Sequence, residues 1–214
     1  MDQPLTLLLA LSIGFTHAFE ADHLVAVSNI VTRRNNVWLA LKDGIYWGVG
    51  HTSTILLVGS IFLLGKFALH KEDFQYLEAG VGVMLFGLGS YRLYRLTVSN
   101  EQSVWNHQHH DHSHAADSHA HKLAYGVGLV HGLAGSGALV LSVLTQIKGA
   151  GAGLLYLGLF GSGSIGGMMV AAGVFSIPFS GGWQTNPSVR KALVLMSSIC
   201  CIGLGLRVFW ENVN

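Results

Sequence analysis

His17, Glu20, Asp22 and His23 fall within seven residues of one apolar run, with no Lys or Arg beside them before Arg33. An ionisable group at membrane depth is costly, at least about 2.5 kcal/mol for Asp on insertion scales, and is a functional site by default. The missing positive charge points to a cation supplied from outside. His51, in the sequence Gly50-His51-Thr52-Ser53, and His131 stand in other apolar runs. At 1.5 Å per residue, His17, His51 and His131 each lie roughly 13–20 Å from an expected helix end. All three can therefore meet near a bilayer midplane. Imidazole with a carboxylate and no thiolate suits nickel, cobalt, copper(II) or zinc rather than copper(I). The ordinary alternative for a single membrane His is an interhelical hydrogen bond. Glu20, Thr52, Ser53 and Ser136 are candidates for lining the path to such a site.

The spacing in the first run creates a difficulty. At 100° per residue, Asp22 lies about 140° and His23 about 240° around a helix from His17. A straight helix cannot aim all three at one ion. Either the helix is broken or unwound near 18–21, as in transporter substrate sites, or the residues serve successive stations.

A second His group is of another kind. His107, His109, His110, His112, His114, His119 and His121 crowd one polar connection together with Asp111 and Asp117. Such a tract binds borderline divalent cations through neutral imidazole. Its irregular spacing predicts an adaptable chelator rather than a fixed site.

The elements that must position these groups follow from composition. Of 214 residues, 50% are hydrophobic and 11% charged, against roughly 25% charged in an average soluble domain. An ordinary cytosolic protein is excluded, and the 28 Gly suit close packing of membrane helices. The net charge of +1 gives no argument for nucleic acid as a partner. The two Cys, Cys200 and Cys201, are adjacent in an apolar run and read as packing rather than as a disulfide framework. The chain is predicted to be an all-α polytopic membrane protein with six spans, near 4–30, 38–64, 74–96, 122–147, 151–178 and 189–210, each about 20 or more residues as a span requires. The amino terminus lacks the basic start of a secretory signal. Trp38, Trp105, Trp183 and Trp210 fall near span ends, as an aromatic belt would place them. Arg33, Arg34, Lys42, Arg92, Arg95, Lys122, Arg190 and Lys191 collect on one side, against Lys66, Lys71, Lys148 and Arg207 on the other. The richer side is cytoplasmic by the positive-inside rule, which puts both termini outside and the His tract inside. Arg92 and Arg95 are expected to anchor at the interface, and Ser162 and Ser164 to pack.

Two halves echo each other. Gly14-Phe15-Thr16-His17 matches Gly128-Leu129-Val130-His131, Gly50-His51-Thr52-Ser53 loosely matches Gly161-Ser162-Gly163-Ser164, and Gly87-Leu88-Gly89 matches Gly203-Leu204-Gly205. Three spans per half make the repeats inverted. The expected organisation is a first repeat over 1–96, a His-rich cytoplasmic loop over 97–121 and a second repeat over 122–214.

The run His17-Ala18-Phe19-Glu20-Ala21-Asp22-His23 resembles the hallmark of the nickel/cobalt transporter family, His, four residues, then Asp-His. Gly50-His51-Thr52-Ser53 is similar to that family's following Gly-His-Ser motif. The resemblance covers nearly the whole chain and is nearest the six-helix branch related to UreH-type urease accessory permeases. It implies metal roles for His17, Asp22, His23 and His51, and less directly for His131, because the second half lacks the acidic motifs of larger members. It further implies a multi-pass protein of the bacterial plasma membrane that imports Ni²⁺ or Co²⁺. The partners implied are a cytoplasmic metallochaperone or urease or hydrogenase maturation proteins, with no resident cofactor.

Other readings have specific weaknesses. An efflux protein of the same fold would use the same residues, and the His tract would serve as a collector rather than a sink. An intramembrane serine hydrolase could use Ser136 in Ala134-Gly135-Ser136-Gly137, but the sixth span has no His to act as base. A metal-dependent membrane enzyme such as a di-iron desaturase would need clustered His boxes at helix ends. The membrane His here are single and deep.

Overall fold

The computed structural model describes residues 3–32, 34, 36–65, 71–98, 113–134, 149–180 and 187–214. The described residues form helices α1 (Gln3–His17), α2 (Ala21–Val31), α3 (Val37–Gly65), α4 (Lys71–Val98), α5 (Ser113–Ala134), α6 (Ala150–Ser180) and α7 (Pro187–Val213). A helix lies within each expected span, the first divided in two, while 135–147 of the fourth lie outside the described residues. Helix α5 starts at Ser113, so 113–121, expected as connection, are its first turns. Three helices, α3, α6 and α7, contain stretches long and apolar enough to cross a membrane: Val37–Gly65, Ala150–Phe179 and Ser188–Val213.

The distribution of polarity is inverted relative to a soluble bundle. Leu57, Leu64, Val174, Ile177 and Leu206 are more than half exposed, whereas His23, His51 and His131 are 0% exposed. Apolar side chains cover the outside because lipid is their solvent, and the polar groups are drawn in. Trp38, Trp210, Tyr76 and Tyr94 lie exposed near helix ends, where amphipathic rings meet headgroups. Trp105 and Trp183 lie outside the described residues.

Glycine sets the helix packing. Helix α3 is central, packed against α5 on one side and α6 on the other; α1 lies on α6, and α4 pairs with α7. A Cβ on Gly14 would strike the carbonyl of Phe160, and one on Gly128 the carbonyl of Trp47. A Cβ on Gly50 would meet Tyr125 and Leu129, and one on Gly163 would meet Leu11 and Phe15. In α4 and α7, Gly89 lies on Ser198 and Ile202, while Gly205 lies on Gly82 and Phe86. Lipid gives helices no hydrophobic reason to associate, so close backbone approach at small residues must supply the attraction. Ser164 packs as expected, donating to the Gly14 carbonyl of α1 at 3.1 Å, whereas Ser162 is exposed and donates to the Gly158 carbonyl of its own helix at 2.8 Å. Cys201 is buried and donates to Leu85 O.

Two cations are buried, and one of them, Arg92, departs from the interfacial role the sequence predicts. Arg92 is buried, with Nη2 donating to the Thr32 carbonyl at the end of α2, where the helix dipole favours a positive charge; Arg95 is exposed. Arg34 is also buried, its guanidinium spanning both carboxylate oxygens of Asp43, and His121 Nδ1 stands 2.6 Å from Asp43 Oδ1. This network joins the segment after α2, the first turns of α3 and the first turns of α5.

Asp43→Asn leaves Arg34 without its buried counter-charge, a change that costs about 3–5 kcal/mol in comparable pairs. The variant should denature at a clearly lower temperature than wild type in detergent. The double variant Arg34→Met/Asp43→Leu should recover much of the loss, since it leaves no lone charge; equal destabilisation of both would mean that the network contributes more than charge compensation.

Candidate metal site

The break in the first span makes the site. Helix α1 ends at His17 with tight turns, Phe19 N donating to Thr16 O and Glu20 N to His17 O, and Glu20 is extended with ψ 154° before α2 begins at Ala21. No Pro or Gly occurs at 18–20, so the break is not a propensity effect. The sequence signal lies instead in the acids: Glu20 stands at the N-cap position of α2, without a side-chain capping bond, and Asp22 occupies its first turn, where the positive end of the helix dipole favours carboxylates. Asp22 Oδ1 accepts the His23 backbone N–H at 2.9 Å. The open backbone at the break is of the kind found where broken membrane helices line a substrate site.

The break solves the angular problem of a straight helix. The His17 and His23 rings, on different faces of a continuous helix, stand 4.7 Å apart between centroids. His51 reaches in from the middle of α3, 5.4 Å from His17 and 5.2 Å from His23, and His131 comes from the last turn of α5, 4.6 Å from His23. Glycines beside these residues permit the approach, since a Cβ on Gly132 would strike the His51 carbonyl. His23 is the hub that touches the other three rings.

The chemistry of these donors is that of an ion site. His17, His23 and His51 offer ligand atoms all within 4.8 Å of one another, and Asp22, His23 and His131 do the same. Asp22 Oδ1 lies 3.0 Å from His23 Nδ1, and Asp22 Oδ2 lies 3.4 Å from His131 Nε2. His23 Nε2 and both ring nitrogens of His17, His51 and His131 are buried without a hydrogen-bond partner. Glu20 Oε1 is only 2.8 Å from His17 Nδ1 but off the direction that a hydrogen bond needs. A buried polar group left unpaired costs about 1–3 kcal/mol. Seven such nitrogens in one place are expensive as packing and suited to a cation. Among the described residues His51 makes no interhelical hydrogen bond, whereas His131 Nε2 faces the Asp22 carboxylate of α2.

Other candidates separate from this cluster. Glu20 is exposed at the break. Thr52 donates to the Gly161 carbonyl at 3.1 Å and Ser53 to the Val49 carbonyl at 2.7 Å, so both hydroxyls serve helix contacts rather than the cluster. Ser136, His107, His109, His110 and His112 lie outside the described residues. His114 lies on α5, His119 is exposed there, and His121 is held by Asp43 rather than free to join a chelating tract.

Sequence reasoning missed the walls of the site. Trp47 is 1% exposed, its ring 5.6 Å from both His23 and His131, and Phe160 lies 5.5 Å from His17. Trp47 precedes His51 by one helical turn and so shares its face, a signal that was available.

No family model matches the chain, and no solved structure matches it. The urease accessory protein UreH of Bacillus sp. (strain TB-90) is 37% identical over 186 residues, covering 84% of this chain and 81% of that protein. The nickel transporter NixA of Staphylococcus aureus is 31% identical over 87 residues, 37% of this chain and 25% of its own. The chloroplast protein FOR GROWTH AND FERTILITY 2 of Arabidopsis thaliana is 26% identical over 199 residues, 87% of this chain and 51% of that protein. The first two names describe an accessory protein and a transporter, not enzymes. A membrane bundle with this histidine centre and with 37% identity to UreH over most of both chains belongs to the nickel/cobalt transporter family, in the branch of the urease accessory protein UreH.

Proposed function

We propose that this protein imports Ni²⁺, with Co²⁺ as an alternative substrate, through a site formed by His17, Asp22, His23, His51 and His131. The observation that carries the reading is the cluster of buried, unpartnered imidazole nitrogens around His23. Neutral imidazole with one carboxylate suits a borderline divalent ion. The names of the relatives, a nickel transporter and a urease accessory protein, favour nickel among such ions.

The protein lies in the bacterial plasma membrane with both termini outside, six spans and the tract between α4 and α5 in the cytoplasm. Two inverted three-helix repeats divide it, 1–96 and 122–214, with 97–121 between them. The glycine contacts support this division. Gly14 meets Phe160 as Gly128 meets Trp47, Gly163 meets Leu11 and Phe15 as Gly50 meets Tyr125 and Leu129, and Gly89 meets Ser198 and Ile202 as Gly205 meets Gly82 and Phe86. These pairs equate Gly50 with Gly163, two residues beyond the sequence match with Gly161. Rocking of the halves would expose the site alternately to either side. The Arg34–Asp43–His121 network would close the cytoplasmic end in the present arrangement. Released inward, the ion would be taken up by the His tract and passed to a metallochaperone or to urease or hydrogenase maturation proteins.

Cells expressing wild type should accumulate radiolabelled nickel, and His23→Ala at matched membrane levels should reduce accumulation to that of empty cells. Cobalt should compete more strongly than zinc. Accumulation below that of empty cells would establish export instead.

Protons compete with metal for imidazole, so transport should fall several-fold between about pH 7.5 and about pH 5.5. A flat profile would argue against imidazole ligation. Deleting 107–112 alone, which spares α5 and His121, should lower the capacity or apparent affinity of uptake and leave transport intact. Abolition of transport by a correctly inserted deletion would make the tract part of the translocation path.

A further inference from the structure

The five site residues do not close into one group of five. Their ligand atoms fall into two groups of three, His17–His23–His51 and Asp22–His23–His131, each within 4.8 Å. A transition-metal ion binds imidazole nitrogen at about 2.0–2.1 Å, so two ligands on opposite sides of one ion stand at most about 4.2 Å apart. Each triad would hold an ion after its side chains contract around it. Joining both triads around a single ion would require a rearrangement of α1, α3 and α5 together, against backbones already in contact at Gly50, Gly128 and Gly132.

Building on the proposed nickel site, we propose that the centre is two stations occupied one at a time, with His23 the ligand common to both. His23 stands at the junction, 4.7 Å and 5.2 Å in ring-centroid distance from His17 and His51 on one side and 4.6 Å from His131 on the other. An ion passes from one triad to the other by exchanging the other two ligands, with the His23 ring the last of the old ligands to leave and the first of the new to bind. It is never bare in the apolar interior.

The two stations differ in charge. One supplies three neutral imidazoles, and the other replaces one imidazole with the Asp22 carboxylate, whose side chain is 20% exposed. Three protein ligands leave coordination positions open, which lets an incoming ligand bind before an outgoing one leaves. A closed set of five would hold the ion as a structural site does and oppose release.

The test uses full-length protein in detergent with His107, His109, His110, His112, His114 and His119 replaced by Ser, so that the tract does not bind the probe. Co²⁺ alone is titrated by equilibrium dialysis and by its visible absorption. The expected result is one ion per chain. His17→Ala and His131→Ala should each still bind one ion within tenfold of the parent affinity, with absorption spectra that differ from each other. His23→Ala should weaken binding at least a hundredfold. His17→Gln and His131→Gln, which keep side-chain volume and are checked for a monodisperse elution profile, should repeat the pattern if the alanine variants misfold. Matching spectra with equal, large losses in the His17 and His131 variants would overturn the two-station arrangement in favour of one shared site. Two ions per chain would overturn the sharing of His23. Loss of binding confined to neither set, with His23→Ala equal to the parent, would refute the underlying site itself.

Discussion

The site exists because the chain leaves the helix between His17 and Ala21. A continuous helix would project His17 and His23 from different faces and hold Asp22 away from both. The break folds α1 and α2 about Glu20 and brings the His17 and His23 rings within 4.7 Å. It also converts the start of α2 into a positive helix end in the interior, which Asp22 meets by accepting the His23 N–H. One interruption therefore orients two imidazoles, anchors a carboxylate and opens the backbone at the depth of the ion.

Everything around the break is arranged to tolerate it. Helices α3 and α5 must come close enough for His51 and His131 to face His23, and only glycine allows that approach: at Gly50, Gly128 and Gly132 a side chain would enter the opposing backbone. The same residues that supply helix attraction in lipid therefore set the distance between ligands. Trp47 and Phe160 complete the enclosure. Their rings bury the imidazoles, whose unpartnered nitrogens carry a cost that a bound cation would offset. A site that bound its own residues well would have less reason to bind an ion.

Much of this was legible in the residues. His17, Asp22, His23, His51 and His131 are all found by asking which ionisable groups lie deep in apolar runs, and the structure brings the other four around His23. Helical angles left two choices, a break near 18–21 or successive stations, and the chain does leave the helix there, although Ala18-Phe19-Glu20 contains no helix breaker and tertiary contact overrode propensity. The polar residues Thr52 and Ser53 misled for the opposite reason: a hydroxyl next to a ligand can satisfy itself on a helix carbonyl, and both do. Asp43 attracted no interest because it stands near a helix start, where carboxylates are commonplace. Its partners, Arg34 and His121, are 9 and 78 residues away, and no local spacing rule joins them.

The Arg34–Asp43–His121 network and the histidine centre share their supports. Arg34 follows the helix that carries His23, Asp43 precedes His51 on α3, and His121 precedes His131 on α5. The offsets from Asp43 to His51 and from His121 to His131 correspond to about 12 and about 15 Å along their helices, so the network ties together at one end the same three elements that the histidine cluster joins in the middle. Any movement that opens this end must break a buried ion pair, which is strongly unfavourable unless another interaction replaces it. Under the proposed function, a divalent ion drawing His23 toward His51 or toward His131 would act on those same helices and would supply that replacement. Coupling between occupancy of the centre and closure of the end then needs no further machinery than the stiffness of α3 and α5.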